Sequence, residues 1–170
     1  MIIHYAEGES SLGRFVAARS DRGLAMVEFA SVDAAHGHLR ERFPHVELKE
    51  DQAAMRETLA KIAGLIEHPE TGHDFVLDMH GSEFEQRVWA ALGDIPAGQT
   101  VNYGEIAARI GSTREAREVA EACAANVLAV VVPCHRVVKK DGSISGYRWG
   151  FKRKRALLER EHRARFLAVA

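Results

Sequence analysis

Hydrophobic and polar residues follow different patterns in the two halves of the chain. The first half holds three segments of strand type, at residues 1–7, 13–19 and 24–30. A polar turn of sequence Ser-Asp-Arg-Gly separates the last two. A further short strand is predicted at residues 75–79. Together these segments predict a small N-terminal sheet.

Two helices are predicted in the same half. Ser31 or Asp33 can cap a helix that runs to about Phe43 and ends before Pro44. A second helix is predicted at residues 52–67, because apolar residues recur there at spacings of three and four. Its apolar face consists of Met55, Leu59, Ile62 and Ile66.

Helix signals dominate the second half. Ser82 is a predicted N-cap, and Glu85 stands three residues later as its capping-box partner. A short helix at residues 101–111 ends at a glycine, and a longer helix is predicted at residues 114–126. Helix, glycine turn and helix in this order predict a helix-turn-helix. Many helical hairpins share this pattern, so it does not establish DNA binding by itself.

The change of pattern near residue 80 predicts two domains, a scaffold domain at residues 1–80 and a second domain at residues 81–170. Of the 170 residues, 46% are hydrophobic and 28% are charged, an ordinary balance for a globular protein. No apolar stretch approaches the ~18 residues of a membrane span, and the N-terminus lacks the pattern of a signal peptide. Two cysteines suit a reducing compartment, so we expect a cytoplasmic protein.

The net charge of −1 hides an asymmetry along the chain. Residues 133–170 carry 11 Lys and Arg against 3 Asp and Glu, a charge of +8, while the remainder carries 12 against 21, a charge of −9. A basic end favours an anionic partner such as nucleic acid, although a solvated helix surface would look the same. The basic cluster closest to the reactive motif described below consists of Arg148, Lys152, Arg153, Lys154 and Arg155.

The helix predicted at residues 114–126 is unusually rich in small residues, and Arg117 projects from it. A thin helix with one long cation fits the narrow minor groove and a displaced base pair better than the wide major groove. Alternatively, the alanines pack against the core and Arg117 is a surface charge; both can hold on opposite faces. The small residues are Ala116, Ala120, Ala122, Ala124 and Ala125.

The strongest chemical signal is the segment Pro-Cys-His-Arg-Val-Val at residues 133–138, which follows the apolar run at residues 128–132. This pattern predicts a thiol, Cys134, at the end of a buried strand, with His135 beside it in a basic setting that favours the nucleophilic thiolate. A buried, inert cysteine is the competing interpretation, and we adopt it for Cys123, which lies mid-helix among alanines.

The adjacency of Cys134 and His135 argues against direct contact, because neighbouring side chains of an extended chain point to opposite sides. A water molecule between them could carry the proton, and a carboxylate behind His135 would orient the ring. Glu161 follows Leu157 by four residues, so on a helix it shares the inward face, whereas Glu159 does not. We therefore expect Glu161 to be that carboxylate.

No metal site is expected. His36 and His38 form a loose pair, but no third ligand stands near them, and exposed helix histidines are the better interpretation.

From residue 82 to residue 161 the chain resembles the O6-alkylguanine-DNA alkyltransferase family, also called methylated-DNA–protein-cysteine methyltransferases. Many motif residues occur in the family order, so the resemblance is highly specific. It rests on Trp89, Tyr103, Ile106, Ala107, Arg117, Asn126, the segment 133–138, the Gly-Tyr-Arg-Trp-Gly loop at residues 146–150, Leu157, Leu158 and Glu161.

The resemblance implies an α/β fold, with a small ribonuclease-H-like antiparallel sheet and helices at the N-terminus and a mostly helical C-terminal domain with a helix-turn-helix. It implies repair of double-stranded DNA by stoichiometric transfer of an alkyl group from O6 of guanine to the cysteine. The base would first flip out of the helix after minor-groove binding. No cofactor, metal or obligate protein partner is implied, and we expect a monomer.

The resemblance also assigns roles around the reactive cysteine. Cys134 would accept the alkyl group in one displacement, while His135, through water, and Glu161 would draw off the thiol proton. Tyr103 would press on the phosphate of the flipped nucleotide and donate a proton to guanine N3. Asn126 would fix the turn between the recognition helix and the cysteine.

Further residues would hold the DNA and the base. Arg117 would fill the space that the base leaves. Other DNA contacts are expected from Tyr103, Thr113, Arg114, Ala116 and Ala120. The substrate pocket is expected to include Val137, Tyr147, Arg148 and Trp149.

Two departures from the family pattern change the expectations. Glu115, Glu118 and Glu121 stand on the recognition helix where relatives usually carry small or neutral residues. Carboxylates near phosphates oppose the electrostatic term that drives DNA affinity, so we expect weaker DNA binding. Trp149 stands where some relatives have glycine, and its bulk should disfavour large alkyl groups.

Three other functions compete with this interpretation. A binding protein that recognises alkylation damage would share the fold but needs no cysteine. A plain helix-turn-helix regulator would not need the segment 133–138. A cysteine hydrolase that uses Cys134, His135 and Glu161 would need direct reach between the thiol and the imidazole, which their adjacency makes awkward.

Overall fold

A computed structural model describes residues 1–169, with side chains up to residue 164, and it confirms the mixed α/β class. The chain forms two compact units. The first comprises residues 1–67, 73–79 and 127–131, and the second comprises residues 68–72, 80–126 and 132–170. The units are therefore not the contiguous halves that a division at residue 80 would give. Within the described part, no helix combines the length and apolar character needed to cross a membrane.

The first unit is built on a four-stranded sheet. Its strands are β1 (Ile2–Ser10), β2 (Gly13–Arg19), β3 (Leu24–Glu28) and β4 (Glu47–Glu50), in the order β3-β2-β1-β4. The first three strands pair antiparallel, but β4 pairs parallel to β1, so the expectation of a wholly antiparallel sheet is wrong. Three of the four β4 residues are charged, and its pattern therefore carried no strand signal.

The segment 75–79 does not form the expected strand. Only Leu77 makes an isolated bridge, which is parallel to Leu24. The segment pairs too briefly to count as a strand, and Asp78 within it is buried and accepts a hydrogen bond from Ser20 Oγ at 2.5 Å.

Two helices complete the first unit: α1 (Val32–Arg42) and α2 (Gln52–Glu67). The predicted cap of α1 is confirmed, since Ser31 accepts a hydrogen bond from the Ala34 amide. The predicted bounds and inward face of α2 are confirmed too, with Leu59 only partly buried. A core cluster between sheet and helix includes Ile3, Val16, Met26 and Leu39.

The second unit contains four helices: α3 (Glu83–Gly93), α4 (Tyr103–Arg109), α5 (Ala116–Ala124) and α6 (Phe151–Val169). The predicted capping box of α3 is present, with Ser82 and Glu85 bonded reciprocally. The segment at residues 101–126, which is predicted to form two helices, differs from this prediction at both ends. Its first two residues form a short strand, β5 (Val101–Asn102), which pairs parallel with β6 (Val137–Val138).

The helix expected at residues 114–126 is shorter in the structure. Glu115 occupies the N-cap position of α5, so Arg114 precedes the helix, and Ala125 is its C-cap. Asn126 consequently lies beyond the end of the helix. This shift places Asn126 in the site described below.

The buried strand expected at residues 128–132 is absent. Leu128 alone bridges to Val27, and the chain then turns through Val130, whose φ of 68° lies in the left-handed region. A β-branched residue adopts this conformation only under strain. All five side chains are nevertheless buried. Hydrophobicity thus predicted their burial correctly but not their backbone conformation.

Candidate active site

Cys134 begins a single 3-10 turn, Cys134–Arg136, and its side chain is buried. The Asn126 side-chain amide donates to Cys134 Sγ at 3.3 Å and to the Val132 carbonyl at 3.1 Å. The backbone amide of Asn126 also bonds to the Cys123 carbonyl at 3.2 Å. Asn126 therefore ties the end of α5 to the sulfur of Cys134.

The surroundings of the sulfur differ from the basic setting expected from His135 and Arg136. Burial raises the pKa of the Cys134 thiol, and this effect outweighs the Asn126 hydrogen bond and the charges of Lys154 and Arg148, which lower it. The resting thiol is therefore neutral. Because the thiolate is the nucleophile, a base must take its proton when the reaction begins.

The two residues that follow Cys134 belong to a buried cluster of charged and polar side chains. His135 Nε2 and Glu161 Oε1 lie 2.7 Å apart, and both side chains are essentially inaccessible to solvent. Arg136 donates to the same carboxylate from Nε at 3.0 and 3.1 Å and from Nη2 at 2.8 Å. Its Nη1 donates to the Ile95 carbonyl at 2.6 Å. The Arg136 guanidinium is thus hydrogen-bonded to the Glu161 carboxylate and not to the thiol.

The protonation states in this cluster follow from burial and charge. Burial would raise the pKa of Glu161, but the bonds and charges of His135 and Arg136 prevail and lower it to about 2. Burial lowers the pKa of His135, although Glu161 opposes this. The stable arrangement is therefore an ionised Glu161 that accepts from the Nε2–H of a neutral His135. Its Nδ1 is buried and makes no hydrogen bond among the described residues, which leaves a lone pair ready for a proton.

Helix α6 presents the two candidate carboxylates on different faces. Glu161 is 1% exposed and lies one turn after the fully buried Leu157. Glu159 is exposed and pairs with Arg155 at 3.4 Å. The spacing argument that preferred Glu161 over Glu159 therefore agrees with the geometry.

A cavity of about 360 Å³ is lined in part by Cys134. This volume suits one small planar ligand. Val137 and Trp149, two of the expected pocket residues, are buried and do not line it; Trp149 packs edge-on against Tyr147 with ring centroids 5.2 Å apart. The lining residues are Tyr103, Ala120, Cys123, Ala124, Cys134, Gly146, Tyr147 and Arg148.

Cys123 is a second thiol on the wall of this cavity. Its position mid-helix predicted only a buried residue, and nothing in the sequence pattern indicated that it shares a cavity with Cys134. Burial, and then the neighbouring Cys134, raise its pKa to about 12. The Cys123 thiol is therefore neutral at neutral pH.

Lys154 belongs to the basic cluster that the sequence suggests for a solvent-exposed face, but the structure buries it. Lys154 is 1% exposed, and its Nζ donates to Ser145 Oγ at 2.8 Å. Ser145 Oγ in turn lies 2.7 Å from the Tyr103 hydroxyl. The position of Lys154 in the sequence does indicate burial. Lys154 precedes Leu157 by three residues and Glu161 by seven, so on α6 it lies on the same face as these two buried side chains.

Helix α5 borders the cavity with one face and meets solvent with another. Ala120 lines the cavity and Ala122 is buried, whereas Ala116 is exposed, so both interpretations of the alanines hold. Arg117 is 79% exposed, and its Nε lies 3.8 Å from Glu121. The charge of Arg117 is therefore partly offset by a carboxylate of the same helix.

Arg114 is paired in the same way, with Nη1 3.0 Å from Glu118 and its guanidinium 4.3 Å from the centre of the Phe84 ring. Thr113 and Arg114 border a second depression, which is separate from the cysteine cavity. Among the described residues, no three His, Cys, Asp or Glu side chains are grouped as metal ligands.

Comparison with known proteins finds a family model that matches the second half of the chain and relatives that match nearly all of it. The family model described as "6-O-methylguanine DNA methyltransferase, DNA binding domain" matches residues 83–163. The chain is 39% identical over 162 residues to the "Bifunctional transcriptional activator/DNA repair enzyme Ada" of Escherichia coli strain K12, covering 95% of this chain and 46% of that protein. It thus spans about half the length of the Ada proteins it matches.

Other relatives match over nearly their whole length. The "Methylated-DNA--protein-cysteine methyltransferase" of Mycobacterium leprae is 35% identical over 160 residues, which cover 94% of this chain and 93% of that protein. A crystal structure of Mycobacterium tuberculosis OGT in complex with DNA superposes with a TM-score of 0.79 at 35% identity, covering 94% of this chain and 93% of that one.

Proposed function

Because the chain belongs to the O6-methylguanine-DNA methyltransferase family, we propose that it transfers an alkyl group from O6 of guanine in duplex DNA to Cys134. One observation carries the proposal. Cys134 lines a cavity, its sulfur accepts a hydrogen bond from Asn126, and the next residue in the chain, His135, forms a buried pair with Glu161. This arrangement equips a single thiol as a nucleophile.

The target base would reach the cavity by leaving the DNA stack. Flipping costs a few kcal/mol of lost stacking and pairing, which contacts made by the protein must offset. Arg117 is the exposed cation of α5, next to the cavity residue Ala120 along the helix, and would fill the space that the base leaves. Thr113, Arg114 and Ala116 would contact the DNA backbone on the same side of the helix-turn-helix.

The chemical step is a single in-line displacement. The thiol proton of Cys134 passes through a water molecule to Nδ1 of His135, and Glu161 stabilises the resulting imidazolium. Sγ then forms a bond to the alkyl carbon while the bond from that carbon to O6 breaks. The electron pair of the broken bond enters the guanine ring, and Tyr103 donates a proton to N3. The product is an S-alkylcysteine, so each molecule acts once.

The decisive experiment uses duplex DNA whose O6-methylguanine carries a labelled methyl group. We expect label to move to protein until one equivalent is bound, and to reside on the peptide that contains Cys134. Repeated turnover would indicate a hydrolase. Tight binding without transfer would indicate a damage-binding protein, and binding that ignores the lesion would indicate a transcriptional regulator.

The glutamates of α5 should weaken DNA binding. Glu118 and Glu121 are paired with Arg114 and Arg117, the two arginines proposed to meet the DNA. Replacing both glutamates by glutamine removes two negative charges and releases both cations, so we expect duplex affinity to rise by about tenfold at low salt. Titration of labelled duplex at several salt concentrations measures this.

The matched control for this prediction is Glu159→Gln, which breaks an equivalent pair with Arg155 on α6. It should raise affinity much less, because only one charge changes and α6 is not the recognition helix. An equal gain in binding free energy for each charge removed would show that net charge alone acts, and an unchanged affinity in the double variant would refute the idea.

A further inference from the structure

Lys154 is a buried ammonium that the displacement described above does not use. It projects from α6 into the second unit, where its Nζ donates to Ser145 Oγ at 2.8 Å and to the Gly146 carbonyl at 3.4 Å. No carboxylate pairs with it among the side chains that the structure describes. Cys134 and Cys123 are the groups whose negative charge would stabilise it. Burying a cation that no carboxylate pairs with costs stability, so the hydrogen bonds of Lys154 bear on what it can do.

Hydrogen bonds connect this lysine to Tyr103. Ser145 Oγ lies 2.7 Å from the Tyr103 hydroxyl and 3.3 Å from the Val137 carbonyl. The single hydroxyl proton of Ser145 therefore has two acceptors within reach, and the oxygen can accept from Lys154 at the same time. The three groups form an unbroken path from a buried cation to the wall of the cavity, where Tyr103 stands.

We propose that Lys154 and Ser145 are positioning residues that orient Tyr103 and restore its proton while guanine departs. The proposal rests on the alkyl transfer proposed above. As the bond from the alkyl carbon to O6 breaks, Tyr103 gives its proton to guanine N3. Ser145 passes its hydroxyl proton to the Tyr103 oxygen, and Lys154 passes one proton to the Ser145 oxygen. Guanine leaves neutral, and Lys154 remains as a neutral amine until solvent reprotonates it.

Burial makes this direction of proton flow favourable. It raises the pKa of Tyr103, so a lasting tyrosinate would be unstable. It lowers the pKa of Lys154 from the ordinary 10.5, so the ammonium is a stronger acid than a lysine in water. The titratable groups that face Lys154 are Cys123, Cys134 and, through Ser145, Tyr103; His135 lies within electrostatic reach.

Single-turnover transfer from labelled duplex at saturating DNA tests the relay. We expect Lys154→Met and Ser145→Ala each to slow transfer by about 10- to 100-fold, with DNA affinity unchanged. Because both act through Tyr103, adding Ser145→Ala to Tyr103→Phe should slow transfer no further. The control is Lys61→Met, an exposed lysine of α2, which should transfer at the wild-type rate.

A second pair of readouts separates proton delivery from simple packing or charge. Lys154→Arg keeps a positive charge but cannot release a proton, so the relay predicts transfer as slow as in Lys154→Met. In the wild type, the rate should fall as pH rises through the lowered pKa of Lys154, and this alkaline decline should vanish in Lys154→Met. Thermal unfolding of each variant shows whether it is folded; Ser145→Ala keeps the ammonium and carries the test if Lys154 variants unfold.

The outcomes are distinguishable. If the wild type transfers no label, the proposed function fails. The relay alone is overturned if the wild type transfers label and Ser145→Ala transfers it at the same rate. It is also overturned if Lys154→Arg transfers label at the wild-type rate. Further slowing when Ser145→Ala is added to Tyr103→Phe would also overturn it, since independent structural damage adds.

Discussion

Replacing Cys134 by serine should abolish alkyl transfer, lowering the single-turnover rate by about 10⁴-fold or more. Serine is nearly the same size and can keep the Asn126 hydrogen bond, so the fold and the cavity should survive. Its hydroxyl, however, is a far weaker acid and a poorer nucleophile toward an alkyl carbon than a thiol. The measurement is transfer of labelled methyl from O6-methylguanine duplex to protein.

Cys123→Ser is the matched control, because Cys123 borders the same cavity. Asn126 donates to the sulfur of Cys134, and the His135–Glu161 pair follows Cys134 in the chain, so Cys123→Ser should still bind one equivalent of label per molecule. Peptide mapping locates the label. Label on Cys123 in the wild type, or normal transfer by Cys134→Ser, would show that the nucleophile has been wrongly assigned.

Replacing Glu161 by glutamine should damage both activity and stability. Without the carboxylate, His135 loses the charge that would stabilise its imidazolium, and we expect transfer to slow by roughly 10²- to 10⁴-fold. Arg136 loses its ionic partner in a buried site, which should cost about 3 kcal/mol of unfolding free energy. Denaturant unfolding measures the loss of unfolding free energy. Transfer rates measured at temperatures well below the thermal unfolding midpoint of the variant report the loss of activity alone.

Glu159→Gln on the same helix is the control, and as an exposed substitution it should change stability by less than about 0.5 kcal/mol. The acid dependence gives an independent check. The pKa of Glu161 is lowered to about 2 from an ordinary 4.5, so its contribution is complete above pH 4.5 and is lost as pH falls toward 2. Glu161→Gln should lose less stability than wild type across that window; equal losses would place the acid-sensitive group elsewhere.

Local patterns predicted the elements whose own residues carry the signal. Helix α2 was predicted at its observed bounds because its apolar residues repeat at helical spacing along sixteen residues. The caps Ser31 and Ser82 were recognisable because a cap acts within three residues of itself. By contrast, β4 is a strand only because β1 lies beside it, and its charged residues gave no sign of that pairing.

The candidate site divides in the same way. Cys134 and its histidine could be recognised from adjacent residues, and Glu161 from its spacing to Leu157 on one helix. At Lys154 two signals conflict, because its charge suggests exposure whereas its helical spacing to Leu157 indicates the buried face. Cys123 gave no such signal, since its share in the cavity depends on how α5 meets the 3-10 turn at Cys134.

The sequence by itself determined the candidate nucleophile, the order of the helices and the family, because these depend on residue identity and on contacts within a few turns of chain. Only the tertiary structure decided the state of the thiol and the partners of the charges. Burial at Cys134 outweighs the nearby cations, Arg136 turns to Glu161, and Lys154 reaches Ser145. A pKa and a buried hydrogen bond depend on the groups that folding brings together, and those groups lie far apart along the chain.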